Sequence, residues 1–381
     1  MGGLNLHLYP SDLTHESRMM KITAALAEQQ VFSEILLVGI LTPGTEPVEV
    51  IDKTRRMLRF SRGLAPGTGG FAAKAWATLR WSFAVWRHFA GKPVTCINCH
   101  SLPVLLLCAA LKIRHRATLI YDTHELETET TESRGARRML AKCVERALIR
   151  FADATFVVGE TIADWYRDTY RMPRPYVVRN ISDPAPFDVQ MPSPLRARLG
   201  LAPDAMLILY LGRIAPNRGL ERMMRLVTQC KSLHFALIGA GPMVEAVKAM
   251  AAVHANLHYL PPVPSAEVVD IARGADIGLS VIDHSCLSYT YAMPNKLFEY
   301  LQAGVPVLIG NMPEQRAIID AHSAGWVMPE DDDAAALLFL QSLSRSEIDA
   351  KKAGAAAASH VYSWSHERAV LLAAYTKIFN A

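Results

Sequence analysis

Residues 285–310, SCLSYTYAMPNKLFEYLQAGVPVLIG, combine a short helix with a strand that follows it directly. Pro294 suits the first turn of a helix, where its missing N–H group costs little. Gly304 suits the left-handed residue that commonly ends a helix. The run 305–309 is apolar and mostly β-branched, with Pro306 at its start, which is typical of a central strand in a parallel sheet. This unit predicts an α/β fold.

The predicted helix places three functional side chains on one face. Lys296, Glu299 and Tyr300 stand at positions i, i+3 and i+4. The helix N-terminus and Lys296 suit a phosphate group, and Glu299 can accept two hydrogen bonds from adjacent ribose hydroxyls. The alternative is an exposed i,i+3 salt bridge on an ordinary helix.

The motif PNKLFEYLQAGVPV resembles the donor-site signature of GT-B glycosyltransferases, especially family 4, which are retaining enzymes that use nucleotide-sugars. In that family a carboxylate on this helix binds the ribose, and Glu299 matches it. A second Glu eight residues earlier contacts the donor sugar in the fuller pattern, and Tyr291 stands there in this chain. The resemblance implies donor contacts by Ser288, Tyr291, Asn295, Lys296 and Glu299.

A second motif follows the strand predicted at 206–211. Gly212 opens a loop that carries Arg213 and Arg218 and ends at a helix N-terminus, so backbone N–H groups and two cations converge on a potential diphosphate site. The alternative is a pair of solvent-facing arginines. In family 4 the matching Arg and a Lys five residues later neutralise the leaving diphosphate; Arg218 stands at the Lys position, which keeps the charge but alters the geometry. Gly241 lies in a Gly-x-Gly-Pro turn similar to that of the family.

The first half of the chain carries its own candidate residues at predicted strand ends. The segment Tyr-Asp-Thr-His-Glu at 121–125 resembles a segment of the same glycosyltransferases, in which a His faces the donor sugar. This resemblance gives His124 that role. His100 ends the preceding predicted strand, and we expect it and Glu125 to line the same cleft. Arg18 opens the first helix, as in variants of the family that lack a Gly-Gly pair, and we expect it to face the acceptor. A helix-capping cluster is the alternative interpretation of that loop.

The strand–helix alternation and the resemblance together imply two Rossmann-like, doubly wound α/β domains facing across a cleft. Prolines at 184, 186, 192, 194 and 203 mark a linker. We therefore expect an acceptor-binding domain at 1–183, a nucleotide-sugar domain at 184–363, and a terminal helix, 364–381, that packs back on the first domain.

Composition narrows the class of protein. A net charge of +4 over 381 residues is mildly basic, and suits anionic substrates or membranes more than nucleic acid. No apolar run reaches the ~20 residues of a transmembrane helix, and no secretory signal is predicted. Residues 74–92 mix aromatic and basic side chains, which is typical of an interfacial membrane helix; a buried packing helix is the alternative.

The six cysteines predict reduced thiols in the cytoplasm. Cys96, Cys99 and His100 spell a c-type haem attachment motif, but the absence of a predicted export signal argues against that cofactor. A zinc site is not predicted because no second ligand pair has suitable spacing. Without an Asp-x-Asp motif at a strand end, we expect no metal and no cofactor beyond the nucleotide-sugar co-substrate.

The sequence therefore predicts a hexosyltransferase that acts on a glycan or polyprenyl-linked glycolipid in bacterial surface polysaccharide synthesis. The expected location is the cytoplasm, with peripheral contact at the inner face of the plasma membrane. A nucleotide-sugar 2-epimerase of the same architecture, or a non-catalytic nucleotide-sugar-binding protein, is the alternative.

Overall fold

The computed structural model describes residues 2–64, 70–181, 192–330 and 332–380. The chain forms two compact units. The N-terminal unit comprises Met1–Arg179 and Arg368–Ala381, and the C-terminal unit comprises Asn180–Glu367. The expected boundary between residues 183 and 184 lies outside the described residues.

The N-terminal unit is built on an eight-stranded sheet in the order β3-β4-β2-β1-β5-β6-β7-β8. Its strands pair in parallel, except that β3 and β4 are antiparallel. The strands are β1 (Leu4–Leu8), β2 (Glu34–Leu41), β3 (Val48–Val50), β4 (Arg55–Ser61), β5 (Val94–Cys99), β6 (Thr118–Asp122), β7 (Ala154–Val157) and β8 (Tyr176–Val177).

Helices cross between these strands, as right-handed parallel connections require. They are α1 (Ser17–Glu28), α2 (Phe71–His88), α3 (Leu102–His115), α4 (Gly135–Leu148) and α5 (Glu160–Tyr170), with a 3₁₀ turn at Ile149–Phe151. Strand order reverses between β1 and β5, so the connections leave in opposite directions there and open a crevice at the carboxyl ends of the strands.

The C-terminal unit contains a six-stranded parallel sheet in the order β11-β10-β9-β12-β13-β14. Numbered from its own first strand, this is the order 3-2-1-4-5-6 of a dinucleotide-binding sheet, with the switch point between β9 and β12. The strands are β9 (Met206–Leu211), β10 (Leu233–Ile238), β11 (Leu257–Leu260), β12 (Ile277–Ser280), β13 (Val307–Ile309) and β14 (Gly325–Val327).

Helices pack on both faces of this sheet. They are α6 (Pro194–Leu199), α7 (Leu220–Gln229), α8 (Val244–Ala251), α9 (Val268–Ala272), α10 (Leu287–Thr290), α11 (Asn295–Gln302), α12 (Pro313–His322), α13 (Asp333–Ser342) and α14 (Arg345–Val361), with a 3₁₀ turn at Ser265–Glu267. A last helix, α15 (Trp364–Asn380), follows them in the chain. The core between α7, α13 and the strands includes Met223, Leu226, Phe235 and Leu340. Within the described ranges, no helix is long and apolar enough to cross a membrane.

The last helix, α15, is shared between the two units. Its residues from Arg368 onward belong to the N-terminal unit. There the Tyr375 hydroxyl donates a 2.6 Å hydrogen bond to Asn98 Oδ1, and the Tyr375 ring meets Phe32 edge to face. The chain end therefore completes the core of the unit in which the chain begins.

The sequence pattern misses four short elements. β3, β4, α6 and α10 are not predicted, and β4 is hidden because three arginines interrupt its apolar residues. Arg59 is nevertheless 6% exposed, because its guanidinium donates to the backbone oxygens of Asp12 and Glu46. Buried hydrogen bonds make an arginine acceptable in a strand, and no local pattern signals them.

Helix α11 differs from its sequence-based prediction at Pro294 and at Tyr300. Pro294 is the N-cap of α11 and not a residue of its first turn, whereas Gly304 adopts the expected left-handed conformation, with φ of 68°. Tyr300 does not share the ligand-facing side with Lys296 and Glu299. It is fully buried, and its ring lies over Gly278 of β12, where an added Cβ would come 2.2 Å from the ring.

The Tyr300 hydroxyl bridges helix and sheet. It donates to the Leu209 carbonyl oxygen at 2.8 Å and accepts from the Leu211 N–H at 2.9 Å. Replacing Tyr300 by Phe leaves both backbone groups of β9 short of a partner, so we expect the free energy of unfolding to fall by about 1–3 kcal/mol. Urea denaturation measures this change.

The matched control is Tyr291→Phe, on a half-buried side chain of the same unit. This control is expected to change stability by less than about 0.5 kcal/mol. Equal stability changes in the two variants would contradict the bridging role of Tyr300.

Candidate functional site

Two loops meet at the carboxyl edge of the C-terminal sheet. The loop after β9 and the loop after β10 are joined by a 2.9 Å hydrogen bond from the Ile214 N–H to the Ala240 oxygen. A Cβ on Gly239 would lie 1.8 Å from the Gly212 oxygen, and a Cβ on Gly241 would lie 2.1 Å from the Ile214 oxygen. Only glycine permits so close an approach, so these two residues fix the loop that begins at Gly212.

Lys296 is buried beside this loop without a hydrogen-bond partner. Its side chain lies in the first turn of α11 with 9% exposure, and its Nζ sits 3.5 Å from the centroid of the Tyr210 ring. The Nζ has no hydrogen-bond partner among the described residues. Burial and then the nearby Arg218 hold the pKa of Lys296 well below its usual value, against the opposing effect of Glu299. A bound anion would supply both the missing hydrogen bonds and a counter-charge.

The two arginines of the same loop have different surroundings. Arg213 is exposed, and its backbone oxygen accepts a 2.8 Å hydrogen bond from the Tyr210 hydroxyl. Arg218 is half-buried, with its guanidinium carbon 4.9 Å from the centroid of the Tyr289 ring. Tyr210 thus touches Lys296 with its ring and fixes the backbone at Arg213 with its hydroxyl.

A cavity of about 470 Å³ gathers five of the residues predicted from the sequence. Its apolar lining residues include Leu211, Ile238, Pro262, Val263 and Val268. The same cavity is lined by Gly212, Arg213, Asn295, Lys296 and Glu299. An apolar lining together with a carboxylate and two cations matches a ligand with a flat ring, hydroxyl groups and negative charge.

Four other predicted donor residues do not line this cavity. Gly241 packs against Ile214, and Arg218 lies beside Tyr289. Ser288 is 2% exposed inside the short helix α10, and Tyr291 follows that helix as its half-buried C-cap. Because Ser288 is buried, a direct contact with a ligand is less favoured for it than for the other three residues.

A buried ion pair lies at the carboxyl edge of the N-terminal sheet. Arg18 donates from Nε to both carboxylate oxygens of Asp122 at 3.1 Å, from Nη2 to Oδ1 at 2.6 Å, and from Nη1 to the Val178 oxygen at 2.6 Å. The two side chains are only 4% and 3% exposed. This geometry favours a structural role for Arg18, that of holding Asp122, over the contact with an acceptor that the sequence predicts.

The charge of Asp122 is strongly stabilised. Burial alone would raise the pKa of its carboxyl group, but Arg18 and then His100 favour the charged form, so the pKa lies well below its usual range. Nδ1 of His100 lies 3.1 Å from Oδ2 of Asp122. His100 is 1% exposed, so it supports the site from within and does not line its surface.

A chain of hydrogen bonds continues from His100 into the sheet. Nε2 of His7 faces the amide nitrogens of Asn5 and Asn98 at 3.1 and 3.2 Å. Burial, and then His100, hold the pKa of His7 well below its usual value, so its ring is neutral. Since Nε2 accepts, Nδ1 carries the proton and donates to Nε2 of His100 at 2.9 Å. The proton of His100 consequently lies on Nδ1, which points at Asp122.

His124 carries a buried ring nitrogen that can meet a ligand. Its Nε2 is buried without a hydrogen-bond partner among the described residues. Its ring centroid lies 5.8 Å from that of Tyr9 and 5.8 Å from that of His100. Burial lowers the pKa of His124 to about 3; Asp122 opposes this shift, and Arg18 and His100 add to it. The ring is therefore neutral at physiological pH, and it can donate or accept one hydrogen bond to a ligand but is a poor acid.

Two acids that the sequence does not mark as special, Glu127 and Glu145, follow His124 along the chain. Glu125, predicted to line the cleft, is exposed. Burial, with Glu145 and Glu125, raises the pKa of Glu127 to about 8. Glu145 has no exposed surface and accepts hydrogen bonds from three hydroxyls, those of Tyr121, Tyr166 and Tyr170. The sequence does contain a signal for this cluster. Glu145 is the one acid in an otherwise cationic helix, and Tyr166 and Tyr170 stand four residues apart in α5.

His100, Asp122 and His124 offer ligand atoms that all lie within 4.8 Å of one another, as a metal site requires. The donor set does not fit a cation, however. Asp122 is already bound by the Arg18 guanidinium, and Nε2 of His100 accepts a hydrogen bond from Nδ1 of His7. A metal ion would have to displace an arginine from a buried carboxylate, and this cost disfavours a metal at these three residues.

Two family models cover most of the chain. Residues 15–180 match the model described as glycosyl transferase 4-like domain, and residues 205–343 match the model described as glycosyl transferases group 1. The chain belongs to the GT-B glycosyltransferases. The predicted family and fold class are therefore confirmed.

Solved structures agree on the fold of this glycosyltransferase. Sucrose-phosphate synthase from Thermosynechococcus elongatus matches with a TM-score of 0.81 and 14% identity, over 99% of both chains. HepE from Anabaena, solved with UDP-glucose, matches with a TM-score of 0.71 and 14% identity, over 98% of this chain and all of HepE. WaaG, described as a glycosyltransferase of lipopolysaccharide biosynthesis, matches with a TM-score of 0.67 and 14% identity, over 97% of this chain and 98% of WaaG.

One curated relative is similar in sequence. D-inositol 3-phosphate glycosyltransferase from Streptomyces scabiei is 24% identical in an alignment of 290 residues that covers 70% of this chain. The match spans 60% of the length of that relative.

The ion pair of Arg18 and Asp122 gives a pH-dependent prediction. Because the pKa of Asp122 is depressed in the folded state, its contribution to stability is present above the unfolded pKa of about 3.9 and is lost as the pH falls toward the folded value. Asp122→Asn leaves Arg18 buried without a counter-charge, and we expect it to lower the free energy of unfolding by about 3–5 kcal/mol at pH 7. Urea denaturation as a function of pH measures the difference from the parent chain.

We expect that difference to be constant from neutral pH down to about pH 5 and to narrow below about pH 4. Asp349→Asn, which removes an exposed partner of Lys352, is the control and should leave stability nearly unchanged. A small, pH-independent effect of Asp122→Asn would show that the ion pair does not stabilise the fold.

Proposed function

We propose that this glycosyltransferase moves a hexose-type sugar from a nucleoside-diphosphate sugar to a glycan or a polyprenyl-linked glycolipid, with retention of anomeric configuration. One observation carries the proposal: a buried, partnerless lysine amine lies at the switch point of the C-terminal sheet, beside a cavity that also contains Arg213 and Glu299. Such a site is suited to a diphosphate that carries a ribose.

Each cavity residue has a role that follows from its chemistry. Glu299 accepts hydrogen bonds from the ribose hydroxyls, and the apolar wall formed by Pro262 and Val263 packs against the base. Lys296 and Arg213 bind the diphosphate, together with the open N–H groups at the start of α11, which has no side-chain cap. Arg218 adds positive charge behind Lys296. Cations placed where the leaving diphosphate gains charge supply the main catalytic effect, and no metal is required for it.

His124 is assigned to the sugar. Its neutral ring presents one buried, unsatisfied nitrogen, and a hydroxyl of the transferred sugar would satisfy it. Arg18 and His100 act indirectly, because they fix the charge and position of Asp122 beside His124. Tyr291 replaces the carboxylate that contacts the sugar in the fuller family pattern, so it is assigned to the donor sugar through its hydroxyl.

Two related structures support the choice of substrates. HepE was solved with UDP-glucose, and WaaG is described as acting in lipopolysaccharide biosynthesis. We infer a bacterial surface polysaccharide pathway with the enzyme at the inner face of the plasma membrane. The aromatic side chains of α2 support membrane contact by residues 74–92, since Trp76 and Phe83 are 65% and 62% exposed.

Nucleotide binding tests the role of Glu299. Glu299→Gln keeps the shape of the side chain but weakens its hydrogen bonds to ribose hydroxyls, and we expect at least about tenfold weaker binding of UDP or GDP by calorimetry. Glu245→Gln, on an exposed side chain of the same unit, is the matched control. Unchanged nucleotide affinity in Glu299→Gln would remove the ribose assignment.

Turnover tests the role of Arg213. Arg213→Ala removes a cation that we place on the leaving diphosphate, so kcat should fall by about 10²–10³-fold in an assay that contains EDTA. Arg225→Ala, on the exposed side of α7, should leave kcat unchanged. Full activity of Arg213→Ala would reject the diphosphate role, and loss of parent activity in EDTA would reject the metal-independent reaction. Conversion of the donor without any acceptor would favour the epimerase.

A further inference from the structure

The helices α2, α3 and α4 lie side by side in the N-terminal unit. α3 packs between α2 and α4, and α2 and α3 also pack on strands of the sheet. Trp81 and Val85 of α2 are buried beneath the helix, and the Trp81 indole donates to the Gly39 oxygen. We call the exposed side chains of these three neighbouring helices the three-helix face.

Large apolar side chains are concentrated on this face. Of the thirteen that are exposed in the described chain, eight belong to these three helices, and such a concentration of exposed apolar side chains is typical of interaction surfaces. They are Trp76, Leu79 and Phe83 on α2, Leu106 and Ile113 on α3, and Met139, Leu140 and Val144 on α4.

The charge of the face is almost entirely positive. The three helices contain nine lysines and arginines, and their one carboxylate, Glu145, has no exposed surface. The cations are Lys74, Arg80, Arg87, Lys112, Arg114, Arg137, Arg138, Lys142 and Arg146.

Two carboxylates outside the helices offset part of this charge. Glu129 pairs with Arg138 and Lys142, and Asp153 pairs with Lys112 at 2.6 Å. The helix α2 has no acidic residue within its own sequence, so positive charge and exposed aromatic rings coincide there most strongly.

Aromatic and cationic groups are also arranged together. The rings of Phe83 and Trp86 are stacked with centroids 6.1 Å apart, and the Arg114 guanidinium carbon lies 4.4 Å from the Trp86 ring. This contact ties α3 to α2. Amphipathic rings flanked by cations are the side chains that favour the headgroup region of a bilayer.

We propose that the three-helix face binds the surface of an anionic phospholipid bilayer. The aromatic and aliphatic side chains enter the headgroup region, and the cations lie against anionic headgroups. A second copy of the chain is a poor occupant, because the contact would bring nine cations against nine. A polyanionic macromolecule would match the charge but leave the apolar side chains in water.

The helix α4 connects this face to the candidate site. Glu129 follows His124 by five residues, and its pairs with Arg138 and Lys142 hold that segment against α4. Docking of the face therefore brings the segment of His124 to the membrane surface, where a lipid-linked acceptor resides. This consequence rests on the proposed function, whereas bilayer binding itself requires no sugar transfer.

Vesicle flotation of the full chain tests the proposal. We expect binding to mixed phosphatidylcholine–phosphatidylglycerol vesicles at low salt, weak binding to phosphatidylcholine alone, and loss of binding as salt is raised. Equal binding to both vesicle types, or no binding to either, would overturn the proposal. Binding to heparin without binding to vesicles would also overturn it, in favour of a polyanionic partner.

Matched variants separate this face from the rest of the surface. One triple variant removes apolar contacts and combines Trp76→Ser, Leu79→Ser and Phe83→Ser. A second triple variant reverses charge and combines Arg80→Glu, Arg87→Glu and Arg137→Glu. Each should lower the vesicle partition coefficient by at least about tenfold. The controls make the same exchanges on exposed residues elsewhere: Val48→Ser with Val253→Ser and Leu338→Ser, and Lys53→Glu with Arg171→Glu and Lys231→Glu.

The controls should bind vesicles as the parent does, and an equal loss in face and control variants would contradict the assignment of the surface. Thermal unfolding of every variant excludes loss of the fold as the cause. UDP or GDP binding is measured on the same samples: binding to vesicles without binding to nucleotide would reject the proposed function alone, and the reverse result would reject the membrane face alone.

Discussion

The hydroxyl of Tyr300 joins α11 to the central strand β9, and the positions of Lys296 and Glu299 depend on that contact. The ring lies over Gly278 of β12, so the side chain occupies the place where the two strands of the switch point meet. Strand order reverses there, and the crossing helices leave the carboxyl edge open. The sheet topology thus leaves an opening at the carboxyl edge. The buried Tyr300 side chain fixes the position of α11, which places Lys296 and Glu299 at that opening.

Both units contain a buried charged residue, but the surroundings of the two residues differ. In the N-terminal unit, Asp122 is compensated by Arg18 and supported by the chain of His7 and His100, so the cost of burial is offset within the protein. In the C-terminal unit, the Lys296 amine lies against the face of Tyr210 and has no hydrogen-bond partner among the described residues. A buried amine without a counter-charge favours its neutral form. Binding of an anion beside the amine stabilises the charged form. The contrast favours a supporting role for Arg18 and Asp122 and a ligand-binding role for Lys296.

The sequence predicts the alternation of strands and helices well, because parallel strands buried on both faces are nearly continuous apolar runs. Gly304 and the loop that begins at Gly212 are examples in which a local requirement of the backbone is visible in the residue type. Tyr300 shows the limit of such reasoning. Its spacing from Lys296 placed it on the ligand side, but a helix packed on a sheet buries a wide arc, and the tertiary contact decides which residues lie within it.

The same limit applies to the N-terminal unit. Arg18 and Asp122 are 104 residues apart, and no local pattern shows that they form a pair. The strand β4 is likewise hidden, because the hydrogen bonds that make Arg59 acceptable come from a distant loop. Local periodicity thus does not predict which charged residues are buried. Arg18 and Asp122, which adjoin His124, are examples.

A crystal structure of the chain soaked with UDP or GDP is the most direct measurement of the central claim. The account predicts a diphosphate oxygen within hydrogen-bond distance of Nζ of Lys296, with the ribose hydroxyls on the carboxylate of Glu299. A nucleotide bound elsewhere on the chain, or a Lys296 amine that remains without a partner in the complex, would contradict it.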